Sequence, residues 1–476
     1  MLLINRKNSI PTYFLILGVC LICLSCKKLV DVPAPVTGIT SASAYNNDIT
    51  AAAVMTGVYA NMSNSSPAAG GLIGTSLYPS LSADELSIYG SSSPLYVAYY
   101  TNALTNNNMG VYDIWSQTYP LIYITNSVIE GVTDNNLLTP AIKQQLLGEA
   151  TFMRALAYFY LVNLYGAVPL LTTTDYKSNA LLARAASNKI YEQIIKDLRI
   201  AQSSLSAQFL DATLTKITSN RVRPTYWAAT ALLARTYLYT GKWDSAEAQA
   251  SLVIGNSSLF GIPIPDSAFL INNREAIWQL QLVGSTNAVP TEQLFAIPST
   301  GPTPTSFYLS PFLLNAFENG DKRRTKWIDS VIAGGSTYYY PGKYKSKLTS
   351  DPLKEYSMVL RLAEQFLIRA EARAQQGNTS GAATDLNLIR TRAGLLNTTA
   401  ATQADLLAAI YHERQVELFT EWGNRWMDLK RSGKVDSIMT SVCSQKGGSW
   451  SSNWQLYPVP LSELKLDQNL VQNKGY

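Results

Sequence analysis

The stretch ALLARTYLYTGKWDSAEAQASLVI, residues 231–254, returns in altered form as FLIRAEARAQQGNTSGAATDLNLI, residues 366–389. Ala234 matches Ala370, Gly241 matches Gly377, Ala246 matches Ala382 and Val253 matches Ile389, always 136 residues apart. Alanines let two antiparallel helices approach closely, and the glycine ends the first helix of each pair. This is the physical logic of tetratricopeptide repeats. RALAYFYLVNLYG, residues 154–166, ends on Gly166 like a third first-helix. The pattern predicts a mainly α fold, a tetratricopeptide-like helix-pair scaffold.

Hydrophobic spacing extends the reading in both directions. Over 139–165, Ile142, Leu146, Ala150, Met153, Ala157, Tyr160 and Leu164 recur at three- and four-residue steps, and Pro169 lies just beyond the glycine stop. Further helices are expected from Ile49 onward and over 111–132, 187–205, 224–240, 244–254, 354–376, 380–393 and 403–431. Residues 61–108 are rich in Ser, Gly, Asn and Tyr and read as long irregular loops. Residues 255–311, rich in Gly and Pro, mix loops with short strands such as EAIWQLQLV at 275–283. Long loops in a folded protein are often functional.

The amino terminus reads as an export signal. Arg6 and Lys7 precede an apolar run from Tyr13 to Leu24, shorter than the ~20 residues of a spanning helix. The run ends LICLSCKKLV, with the small Ser25 before Cys26. That arrangement suits lipoprotein processing, in which residues 1–25 are removed and the Cys26 thiol carries the lipid; an ordinary secretory signal is the plainer alternative. Of four cysteines only Cys443 lies in the body of the chain, so no internal disulfide is expected. The mature chain divides into 26–254, with the leader, loops and first helix pairs, and 255–476, with the central region and later pairs.

Composition excludes several function classes. The net charge is +5 with no long basic run, which argues against nucleic acid. His412 is the single histidine, so a histidine metal cluster is excluded, and nothing beside it resembles a nucleophile elbow. Glu413, Glu417 and Glu421 form one helical stripe with Arg414, Arg425, Lys430 and Arg431 around them. Glycosidases need two carboxylates across a cleft, whereas such a stripe is more simply an ion-pair network. Neither a P-loop nor a dinucleotide-binding glycine pattern is present, so no cofactor is expected, and no enzyme. Twenty-eight tyrosines against twelve phenylalanines suggest flat apolar faces that tolerate water, as sugar- and protein-binding surfaces need, although tyrosine also packs helix pairs.

Nine segments in order resemble the SusD/RagB family of outer-membrane nutrient-binding lipoproteins. They are CKKLVDVPAP, YDIWSQTYPLIYITNSVIE, GEATFMRALAYFYLVNLYGAVPL, RPTYWAATALLARTYLYTGKWDSAEAQA, NGDKRRTKW, VLRLAEQFLIRAEARAQQGN, LNLIRTRAGL, ERQVELFTEWGNRWMDLKR and QLYPVPLSELKLDQNLVQNKGY. The resemblance spans nearly the whole mature chain. It implies a helical scaffold with an irregular loop-rich part and a few short strands. It also implies a non-catalytic lipoprotein, anchored through Cys26 in the outer membrane and facing outward. Its partners would be an oligosaccharide ligand and a SusC-type TonB-dependent transporter that receives it. A peptide ligand, as in RagB-type relatives, and a purely structural role beside the transporter are the alternatives.

The resemblance assigns fold maintenance to the motifs around Trp115, Arg154 and Glu417, and ligand contacts to the variable loops. Sugar rings present flat C–H faces that stack on aromatic side chains, and their hydroxyls take hydrogen bonds. The expected contacts are Tyr89, Tyr96, Tyr99 and Tyr100, then Phe295, Phe307 and Tyr308, with Asp84, Asn106 and Asn107 as polar partners. Tyr338, Tyr339 and Tyr340 form a third cluster, but TYYYPGKY alternates like a packed strand.

Overall fold

The computed structural model describes residues 41–64, 72–90, 93–107, 114–282, 291–346 and 354–476. The leader and Cys26 lie outside the described residues. Met1–Ala44 is one unit, described only for the short helix Ser41–Ala44, and Tyr45–Tyr476 is another, compact one. Twelve helices of the second unit carry the argument: α1 (Asp48–Asn64), α2 (Pro94–Tyr100), α3 (Ile114–Thr133), α4 (Pro140–Tyr165), α5 (Ser187–Ser204), α6 (Tyr226–Tyr239), α7 (Trp243–Gly255), α8 (Leu362–Gln375), α9 (Thr379–Arg392), α10 (Gln403–Glu417), α11 (Asn424–Arg431) and α12 (Val435–Gln445).

From α3 to α9 each helix packs on the next, and α10 returns to α8. The repeated copies are α6–α7 and α8–α9, and α7 lies directly against α8. The helical array is therefore continuous in space although about a hundred residues separate α7 from α8 in sequence. Ala234, Ala246, Ala370 and Ala382 are all fully buried, as the close approach of backbones requires. Gly241 and Gly377 adopt φ of 67° and 79°, the left-handed conformation expected at the turn of each pair. Gly166 ends α4 with a positive φ as well, 74°, but with ψ at −124°.

Helix α4 is the centre of the molecule. Every residue from Gly148 to Val162 is buried, because α1, α3 and α5 cover it on separate sides. Two charges lie within that stretch: Glu149 is held by Arg223 at 2.6 Å, and Arg154 is held by both oxygens of Asp197 at 2.8 and 2.7 Å and by Asn126 Oδ1 at 2.8 Å. Trp115 is buried and donates its backbone amide to the Tyr165 hydroxyl.

The segment between α7 and α8 carries most of the strands. Among the described residues there are four two-stranded antiparallel sheets: β1 (Leu86–Ile88) with β5 (Phe307–Leu309), β2 (Val168–Pro169) with β3 (Arg184–Ala185), β4 (Ala276–Leu280) with β8 (Ser357–Arg361), and β6 (Ile328–Ala333) with β7 (Ser336–Pro341). β4 and β8 are buried along their whole length, and both pack against α6.

Three boundaries differ from the sequence expectation. The helix expected from residue 354 begins at Leu362, because residues 357–361 pair with β4 instead. The helix expected over 403–431 breaks between α10 and α11, where Thr420, Trp422 and Gly423 all take positive φ. The loop-rich stretch 61–108 includes the short helices Tyr78–Ser82 and Pro94–Tyr100 among its described residues.

The glutamate stripe is an ion-pair network, with different partners from the neighbours in sequence. Arg323 contacts Glu413 at 2.6 Å, Glu417 at 2.9 Å and Asp321 at 2.8 Å. Arg361 contacts Glu275 at 2.8 Å, Glu421 at 2.7 Å and Glu417 as well. Arg392 bridges Glu275 and Glu417, and Lys343 holds Glu421 at 2.5 Å. Burial alone would raise the Glu417 carboxyl, but Arg392, Arg361 and Arg323 together hold it well below the usual carboxylate range. Arg414 and Arg431 instead hold Asp428, and Arg425 holds Asp84. His412 donates to the Ala316 carbonyl at 2.8 Å.

Candidate functional site

β1 and β5 align Leu86 with Leu309, Ser87 with Tyr308 and Ile88 with Phe307, and Tyr89 continues the ladder by donating to the Ser306 carbonyl at 3.1 Å. Alternation along β5 sends Phe307 and Leu309 inward and leaves Tyr308 half-exposed. The inner side is a phenylalanine layer. Phe307 packs edge-on against Phe295 at 6.4 Å and against Tyr96 of α2 at 5.1 Å, and both phenylalanines are buried.

The outer side is made of tyrosines from three separate stretches. Tyr338 of β7 meets Tyr89 edge-on at 5.4 Å and Tyr308 edge-on at 5.5 Å. Burial first, and the nearness of Tyr100 and Tyr338, push the Tyr308 hydroxyl above its ordinary range despite a hydrogen bond from Ser87. Tyr89, Tyr96, Tyr100, Tyr308 and Tyr338 are each partly exposed. Such a rim presents ring edges and faces with hydroxyls at their margins, which suits a flat ligand that is apolar on one face and polar at its edge.

Behind the rim, charged groups fix the backbone that carries it. Asp84 is buried and accepts two hydrogen bonds from Arg425, at 2.8 and 2.7 Å. Burial would raise its carboxyl, and the Arg425 guanidinium overcomes that and lowers it. Glu85, next in sequence, accepts from Ser80 at 2.6 Å and from the Thr420 amide at 3.1 Å; burial pushes it up to about 7. The Lys446 ammonium donates to the carbonyls of Leu81 and Ala83 and lies 4.9 Å from the centre of the Tyr100 ring. These bonds hold the chain on both sides of Asp84 before β1 begins.

The expected residues therefore fall into distinct settings. Tyr89, Tyr96, Tyr100, Phe295, Phe307 and Tyr308 come together. Tyr99 is buried on the other side of α2, stacked on Tyr78 at 4.5 Å. Asp84 lies beneath the rim in its ion pair. Asn106 is half-buried and Asn107 exposed, beside a stretch outside the described residues. Tyr338 belongs to the cluster although the sequence pointed equally to packing; its neighbour Tyr340 is the one that is buried, and Tyr339 lies beneath the Arg324 guanidinium at 4.4 Å. Among the described residues no cluster of His, Cys, Asp or Glu could hold a metal ion, and no helix is long and apolar enough to cross a membrane.

Two family models match the chain. One, described as "SusD family", covers residues 316–476, and the other, described as "Starch-binding associating with outer membrane", covers residues 39–238. A SusD-like protein of Bacteroides ovatus is 27% identical over 388 residues, covering 71% of this chain and 67% of that protein. The crystal structure of a SusD superfamily protein from Bacteroides vulgatus superposes with a TM-score of 0.78 at 20% identity, covering 91% of this chain and all of the other. A laminarin-binding SusD-like protein superposes with a TM-score of 0.72 at 25% identity, covering 90% and 99%. With both ends of the helical array matched by models of one family, and the whole fold shared with its solved structures, the chain belongs to the SusD/RagB family.

Proposed function

We propose that this chain is a non-catalytic, lipid-anchored outer-membrane protein that captures oligosaccharides at the cell surface and passes them to a SusC-type TonB-dependent transporter. The observation that carries the ligand class is the tyrosine rim, in which Tyr89, Tyr308 and Tyr338 converge from three stretches with ring centroids 5.4 and 5.5 Å apart. Tyr96 and Tyr100 flank them, and Phe295 and Phe307 support them from below. The starch-binding description of the family model and the laminarin-binding relative support a glucan as the first ligand to try. The buried arginine partners of Glu413, Glu417 and Glu421 support a structural role for those carboxylates, in keeping with binding without cleavage. Anchoring follows from Cys26 as the lipidated residue after removal of residues 1–25.

Isothermal titration of the protein lacking residues 1–26 against starch- and laminarin-derived oligosaccharides tests this reading. Saturable binding with the oligosaccharides recovered at their original length is expected. Absence of heat with every glycan, binding of peptides in their place, or shortening of the glycan would each overturn it.

A further inference from the structure

A cleft of about 520 Å³ opens between the carboxyl end of α4, the amino end of α5, α6, α11 and the carboxyl-terminal tail. It shares no residue with the tyrosine rim. Its charged wall residues are Lys430, Arg431 and Lys474, with no aspartate or glutamate among them. Arg431 is already neutralised by Glu371 and Asp428. Lys430 is different. Its ammonium donates to the Asn163 carbonyl, the only hydrogen bond it makes among the described residues, and it has no carboxylate partner there. A half-buried cation left without a counter-ion is a costly arrangement, relieved when an anion arrives.

The other walls point the same way. Helix α5 starts beside the cleft at Ser187, and its N-cap, Ala186, has no side-chain group to satisfy the first amides. Asn453 and Gln455 line the cleft with amides that make no side-chain hydrogen bond to the described protein, and the Tyr239 hydroxyl is buried without a partner. Met427, Leu456 and the Tyr191 ring supply apolar surface between them. The volume falls within the range of small-molecule sites and exceeds what a bare ion needs. We infer that this cleft is an anion-selective saccharide site, in which Lys430 receives the carboxylate of a uronic acid residue while Asn453, Gln455 and Lys474 take the ring hydroxyls.

Burial lowers the Lys430 ammonium to about 7, so its charge is present below neutrality and lost above it. The groups facing it are Arg431 on its own helix, Lys474 from the tail, Tyr191 from α5 and Tyr239 from α6, with only the Asn163 amide and carbonyl from α4. Both phenols are held well above the usual phenol range, and neither changes charge between pH 6 and 8.

The test is calorimetric titration of the protein with D-glucuronate, D-glucose and inorganic sulfate at pH 6 and pH 8. Glucuronate binding that tightens about tenfold from pH 8 to pH 6 is expected, with weaker binding of glucose and sulfate. Lys430→Met abolishes the glucuronate response while glucan binding at the tyrosine rim persists. Lys430→Arg keeps it and removes the pH dependence, because an arginine stays charged throughout. Failure of glucuronate to saturate, equal binding of sulfate or glucose, or an unchanged response in Lys430→Met would overturn the inference. If Lys430→Met does not fold, retention of the wild-type pH dependence by Lys430→Arg overturns it. The glucan titration is read separately, so loss of either site leaves the other interpretable.

Discussion

The ring of Tyr338 stands edge-on to that of Tyr308, with centroids 5.5 Å apart and an interplanar angle of 82°. The two residues lie in different sheets, so each orients a ring that the other's sheet leaves partly exposed. Replacing either by alanine is expected to weaken glucan binding about tenfold, the scale of one well-placed aromatic contact. Because each ring positions the other, the double variant falls short of the product of the single effects. Titration calorimetry on the four proteins checks this, and unchanged affinity in Tyr338→Ala would remove the hairpin from the site.

Arg361 is the hinge of the buried charge network, meeting Glu275, Glu417 and Glu421 at once from the N-cap of α8. Arg361→Met leaves three buried carboxylates short of a counter-charge. A loss of about 3–5 kcal/mol is expected, the usual scale for breaking a buried pair from one side. Urea unfolding measures it, and a loss below about 1 kcal/mol would mean that Arg392 and Arg323 suffice.

The helix pairs were readable because helical periodicity and glycine stops are local signals. Gly241 and Gly377 announce their turns whatever surrounds them, and the residues expected to face inward on α4 are buried, although its middle is covered all round so that burial there exceeds the periodic face. The network and the rim depend on contacts that periodicity does not encode. Glu417 was expected to pair with basic neighbours on its own helix, yet its partners come from residues 323, 361 and 392. Tyr99 and Tyr100 are adjacent in sequence, yet α2 buries one and leaves the other half-exposed. Asp84 carried a loop signal, and only the folded chain brings Arg425 to it across more than three hundred residues. Lys430 lay in a stretch read as one salt-laced helix, and the break before α11 turns it into a separate cleft.

Gly377→Ala isolates the repeat logic. A Cβ at this position meets nothing within 4 Å, so the substitution introduces no clash and only strains the left-handed backbone at φ 79°. A loss of about 1 kcal/mol is expected, and Gly241→Ala should cost about the same. Thermal unfolding of both single variants checks it. A neutral result at both would show that the turns relax freely and that the pairs are held by helix packing alone.

Glu85 supplies a pH dependence with a defined sign. Its carboxyl is raised from an ordinary value of 4.5 to about 7, by burial first and by the nearby Asp84 charge, against hydrogen bonds from Ser80 and Thr420. Between those two values the folded protein holds a proton that the unfolded chain has released. Stability from this group is therefore fully present below pH 4.5 and is lost as pH rises through 7. Asp84 acts in the opposite sense, because its lowered carboxyl contributes above its ordinary value of 3.8 and loses that contribution in acid. The buried lysines are lowered to about 7 or 8 and act above neutrality; burial also raises the Glu413 and Glu463 carboxyls, which act in the same sense as Glu85, so substituting Glu85 isolates its own share. Glu85→Gln keeps an acceptor for the Thr420 amide and cannot ionise. It should flatten the decline in stability between pH 5 and 7 and exceed wild type by about 2–3 kcal/mol at pH 7.5, with the difference vanishing below pH 4.5. Urea unfolding across that range measures it, and parallel curves for the two proteins would show that Glu85 stays ionised in the fold.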